Sequence, residues 1–121
     1  MTSSVPQPGA PDGCFHDTAR AATFRPDKLA KTSLFESPRM FCDVYGLLPG
    51  QSQAAHAHAG SDKVYSVLTG RCRIVVGSES RTLATGEVAI APAGVEHAVH
   101  NESDSPATLL VVMAPHPKFP G

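Results

Sequence analysis

From Ser33 onward the chain is cut into short apolar runs by glycine and proline, with a turn signal about every 8 to 12 residues. The runs read "RMFCDVYGLL", "AAHAH", "KVYSVLT", "RCRIVVG", "RTLA", "EVAIA", "HAVHN" and "ATLLVVMA". With 11 Pro and 10 Gly in 121 residues, long helices are disfavoured and short strands joined by tight turns are favoured. The expectation is eight or nine strands in an all-β sandwich or closed barrel. "KVYSVLT" and "RCRIVVG" read as a hairpin through Thr69-Gly70, with Cys72, Ile74 and Val76 on one face and Arg71 and Arg73 on the other. "SES" reads as a turn. In "TLLVVM" both parities are apolar, which predicts a strand covered on both faces. One cover is the core; the other is a partner subunit or an N-terminal arm of the same chain.

The length fits one domain, taken as residues 14–121, preceded by a mobile Pro/Gly/Ser-rich tail at 1–13. "RPDKLAK" suggests one helical turn with Pro26 at its first position. The net charge is -1 and no basic run offers a phosphate-neutralising surface, so nucleic acid is not an expected partner. No apolar stretch reaches the roughly 18 residues of a membrane span, and the N-terminus lacks the features of a secretory signal. Cys14, Cys42 and Cys72 are odd in number and widely spaced, which fits free thiols in a reducing, cytoplasmic setting. Cys42 and Cys72 read as core residues, and His16 and His116, in poorly ordered or terminal segments, are expected to do nothing specific.

The chemistry concentrates in two histidine-bearing segments. His56 and His58 are at i and i+2, on one face of a strand, with Cβ atoms roughly 7 Å apart. His97 follows the turn Pro92-Ala93-Gly94, where a β-hairpin would deliver it inward. Each histidine alone could equally be a hydrogen-bonded structural residue. Three converging inside a barrel would suit a divalent transition metal: zinc, iron, nickel, copper or manganese. His100 has the opposite parity to His97 and should point away. Asn101 is expected to bond loop backbone.

Two spaced patterns contain these residues. In the first, Gly50 is followed by QSQAA, His56-Ala57-His58, AGSD, Lys63, VYSVLT and Gly70. In the second, Gly86 is followed by EVAIA, Pro92-Ala93-Gly94, VE, His97, AVH and Asn101. Fifteen residues separate the two. The pair resembles the two motifs of the cupins. The resemblance implies a double-stranded β-helix, or jelly-roll barrel, often dimeric, with a metal in its mouth held by His56, His58 and His97. The family's carboxylate ligand would fall on Lys63, and there the sequence departs from the pattern.

Counting back from Gly70, Lys63, Tyr65 and Val67 share a face, which in cupins looks inward. A three-residue spacer after His58 would put Asp62 in the carboxylate position instead, but Lys63 is the preferred reading. A protonated lysine roughly 6 Å from a divalent ion meets repulsion of about 5 kcal/mol at an effective dielectric of 20. Relief comes from a lowered lysine pKa, from an anionic partner, from the absence of a metal, or from the side chain reaching out to the barrel rim. Lys63 and Tyr65 are therefore the candidate catalytic residues. The leading expectation is a small metalloenzyme, of dioxygenase or isomerase/lyase type, acting on a small polar or anionic molecule. The alternative is a non-enzymatic small-molecule or anion-binding cupin with Lys63 as charge partner and metal absent or structural. A sensor or accessory module is a third and weaker reading.

Overall fold

The computed structural model describes residues 5–118. The first four residues of the expected tail lie outside them; residues 5–13 are exposed and form no helix or strand. A single helical turn, α1 (Thr18–Ala21), begins at Asp17, whose carboxylate accepts from the Ala19 and Arg20 amides. The turn expected at Pro26 is a series of bends without helix.

Nine strands follow: β1 (Ala30–Ser37), β2 (Met40–Leu47), β3 (Ser52–His56), β4 (Asp62–Thr69), β5 (Arg71–Val76), β6 (Glu79–Ala84), β7 (Val88–Ala91), β8 (His97–His100) and β9 (Ala107–Ala114). They form a five-stranded sheet, β1-β2-β9-β4-β7, facing a four-stranded sheet, β3-β8-β5-β6. This is the all-β jelly-roll architecture expected. β1 is the strand that the apolar runs missed, since only Ala30 on it is buried. The "SES" turn sits two residues early: Gly77 and Ser78 turn the chain, and Glu79 and Ser80 already pair in β6.

Two expected hairpins do not form. β4 pairs with β9 on one side and β7 on the other, so β5 finds no free edge on it. β8 is likewise flanked by β3 and β5, which leaves no place for β7. The single residue between β4 and β5 is also too short for a two-residue hairpin loop. Instead the chain steps from one sheet to the other at Gly70, where φ is 74° and an added Cβ would lie 2.6 Å from the Pro106 carbonyl oxygen.

The core lies between the sheets. Tyr45, Leu47, Tyr65, Val67, Leu109 and Val111 from the larger sheet pack on Cys72, Ile74, Leu83 and Val99 from the smaller. Burial lifts the Cys72 thiol to about 11, consistent with a packing residue. Asn101, 1% exposed, closes the barrel's lower loop: its amide donates to the Leu47 and Ser105 carbonyls, and its oxygen accepts from Ser103. On the outer face of the larger sheet, residues 23–24 cross β2, so that a Cβ on Gly46 would collide with the Thr23 carbonyl. The N-terminal arm thus covers part of that face. Away from the arm, Phe35 and Ile90 stay about half exposed.

Gly70→Ala should cost more than about 2 kcal/mol in urea unfolding, through a strained φ and a backbone clash. Gly60→Ala, into open space, should stay within about 0.5 kcal/mol.

Candidate metal centre

The two motifs meet because β3 and β8 are neighbours, with His56 directly opposite His97. His58 is off the strand, since β3 ends at His56, and the connection to β4 carries it back toward the same point. Two bonds hold that connection against the Pro92–Gly94 turn. The Gly94 amide donates to the His58 carbonyl at 2.8 Å, and the Ala93 amide donates to the Asp62 carboxylate at 2.8 Å. Asp62 therefore faces away from the barrel interior and ties the second motif to the first.

Nitrogens of His56, His58 and His97 lie within 4.8 Å of one another. The His56 Nδ1 bonds the Ala54 carbonyl at 2.8 Å, and the His97 Nδ1 bonds the Val95 carbonyl at 3.0 Å. A carbonyl only accepts, so each Nδ1 carries the hydrogen and each Nε2 keeps its lone pair. The His97 Nε2 is buried and has no hydrogen-bond partner among the described residues. Burial, the main cause, holds all three imidazoles below the usual histidine range, which favours the neutral, ligating form. An orphaned ring nitrogen, two oriented neighbours and a neutral nitrogen donor set fit a divalent transition ion, with bonds of about 2.0–2.1 Å. His100 is not part of this cluster.

Lys63 is 2% exposed and lies on the inner face beside Tyr65 and Val67. Its Nζ donates to Gln53 Oε1 at 3.3 Å and sits 5.0 Å from the centre of the Tyr65 ring and 5.6 Å from that of Tyr45. The Tyr65 hydroxyl donates to the same Gln53 oxygen at 2.9 Å. Burial, with Lys31 adding repulsion, pushes the Lys63 ammonium down to about 8, against a smaller opposing effect of Asp43. Burial likewise pushes the Tyr45 phenol up to about 12 and the Tyr65 phenol still higher, so both stay protonated at neutral pH. His56, His58 and Lys63 border an open pocket of about 440 Å³ whose walls include Lys31, Phe41, Tyr45, Gln53 and Met113. A larger groove of about 810 Å³ lies elsewhere, between β6 and β7, and contains none of these residues.

Gln53 and Lys31 are the site residues that the sequence reading missed. Gln53 is three residues before His56, a spacing that in a regular strand means opposite faces. A β-bulge between them brings both to the interior. His116 also departs from expectation: it is 4% exposed, bonds Glu36 at 3.1 Å and meets the Phe41 ring edge-on.

The buried ammonium gives a pH signature. The folded chain holds the Lys63 proton less tightly than the unfolded chain, whose lysine keeps its ordinary value of 10.5. The cost is fully present below pH 8 and is relieved as pH rises toward 10.5. In metal-free protein, Lys63→Met should raise Tm by about 5 °C at pH 7, with the gain shrinking between pH 8 and 10 in thermal melts.

The sequence profile of the Cupin domain family matches residues 44–113. An uncharacterized protein of Streptomyces coelicolor is 38% identical over 76 residues, 63% of this chain and 71% of that one. Among solved structures, TT1209 from Thermus thermophilus is 53% identical with a TM-score of 0.82, over 84% of this chain and 96% of that one. A predicted oxalate decarboxylase from Thermotoga maritima shares the fold at 19% identity and a TM-score of 0.69, over 73% and 81% of the two chains.

Proposed function

The chain belongs to the cupin domain family, and from that premise we propose that it is a small metalloenzyme acting on an anionic organic molecule, by dioxygenase or isomerase/lyase chemistry. The observation that carries this reading is the buried, unpartnered His97 Nε2 within 4.8 Å of the ring nitrogens of His56 and His58. These three residues would hold a divalent ion, which supplies Lewis acidity toward a bound oxygen atom. The protein's own groups do the rest. Lys63 attracts the acidic group of the substrate and, with its ammonium lowered to about 8, can give or take a proton near neutrality. Tyr65 and Gln53 hold Lys63 in place through one shared oxygen. Phe41 and Met113 supply an apolar wall that limits water around the substrate.

A second reading is favoured by the lysine itself. With an ammonium where the family motif has a carboxylate, the pocket could serve to capture an anion without turnover, any metal being structural. The two are separated by chelator treatment, since tight anion binding that survives it with no turnover favours the second; the metal itself is tested by elemental analysis of tag-free protein beside a His56→Ala/His97→Ala double variant. The enzymatic reading predicts about one equivalent of a transition metal, lost in the variant. Protein that takes up no metal even on reconstitution would overturn it and leave the anion-binding reading.

The reading places the protein in the cytoplasm, in keeping with its free cysteines and with the lack, among the described residues, of a helix long and apolar enough to cross a membrane. It also includes a homodimer. Support comes from the outer face of the larger sheet, where Phe35, Cys42, Val112, Val64 and Ile90 line up across all five strands without a charge. Ile90→Lys should convert a dimer to a monomer in analytical ultracentrifugation; a wild-type monomer at 100 times the assay concentration, on the order of 100 μM, would sink that part of the reading.

A further inference from the structure

Lys31 enters the pocket from β1, directly across the strand pair from Tyr45. Its Nζ lies 5.2 Å from the centre of the Tyr45 ring, and the Lys63 Nζ lies 5.6 Å from the same centre. The two nitrogens are thus at most about 11 Å apart, the sum of those distances. One ammonium is buried at the floor and the other is exposed at the mouth. The ring face attracts both, but two like charges around one phenol repel each other.

The surrounding carboxylates leave part of that repulsion standing. Among the described residues no carboxylate lies within 4 Å of either nitrogen. Glu36 is turned toward His116. Asp43 faces both lysines from β2 and offsets part of the repulsion from beyond 4 Å, while burial holds its carboxyl above the usual range. The Lys63 ammonium has three N–H donors and makes one protein hydrogen bond, a long one of 3.3 Å. The pocket's apolar lining is Phe41, Ala54, Met113 and Pro117. A pocket with two cations around one ring and apolar side chains in its lining matches a molecule with two acids on a short carbon stem.

We propose that Lys31 and Lys63 form a two-point anion clamp around Tyr45, and that the pocket selects small dicarboxylates, with one carboxylate at Lys63 on the floor and the other at Lys31 in the mouth. The proposal rests on the anionic-substrate reading above and deepens it by making Lys31 the residue that counts the second charge. Lys31 is exposed and touches none of the three histidines' hydrogen bonds, so its replacement leaves the ion cradle intact.

The test is calorimetric titration of the protein as purified with succinate and with succinamate, which has the same carbon stem and one charge fewer. Succinate is expected to bind about tenfold more tightly at low salt. Lys31→Met should remove that preference while leaving succinamate affinity and Tm unchanged, and Lys31→Arg should restore it. Equal affinities for the two probes, no succinate binding, or a preference that survives Lys31→Met would each overturn the clamp. The preference is also expected in chelator-treated protein, because neither lysine is a metal ligand. Failure to take up metal even on reconstitution overturns the metalloenzyme reading alone, while absence of the charge preference overturns the clamp alone.

Discussion

Strands β4 and β8 have both hydrogen-bonding edges taken by strands distant in sequence, and the rest of the structure follows from that saturation. A strand with no free edge cannot pair with the segment that follows it. The chain must therefore cross to the opposite sheet after β4 and arrive from it before β8. Each crossing leaves a connection at one end of the barrel. The connections before β4 and before β8 leave at the same end, and the Gly94 and Ala93 amides lock them together. Histidines about 40 residues apart in sequence come into register for that reason, by ladder pairing of backbone rather than by any attraction between imidazoles.

The interior beside them is unusual for its polar content. A lysine, a glutamine and two tyrosines occupy inward positions where a barrel of this size could hold aliphatic side chains. The arrangement is tolerable because its groups satisfy one another: one amide oxygen accepts from both Lys63 and Tyr65, and two aromatic faces lie beside the ammonium. It is still costly, as the depressed lysine pKa records.

Much of this was legible in the sequence because it depends on spacing. Regular alternation placed Lys63, Tyr65 and Val67 on the inner face, and the two glycine-framed motifs placed the three histidines. What spacing could not show was anything broken by an irregularity. The bulge in β3 reverses the parity between Gln53 and His56, so regular alternation would set the residue that positions Lys63 on the face opposite the histidine. His58 reaches the cluster from a loop, where parity has no meaning. Lys31 sits on a strand too exposed to show an apolar pattern. The false hairpins had another origin: adjacency in sequence suggests pairing, but which edges are already taken is a property of the whole sheet.

The orientation of the ligating rings has a consequence of its own. His56 and His97 are each held by the carbonyl two residues earlier in the chain, so main chain, not neighbouring side chains, decides which nitrogen faces the pocket. A chain that keeps the fold and these two histidines also keeps their ring orientation. The residues around them are free to drift in charge and shape without disturbing the donors. A lineage could exchange a carboxylate for a lysine on the adjoining strand and explore a new substrate while the old coordination geometry is passed on unchanged.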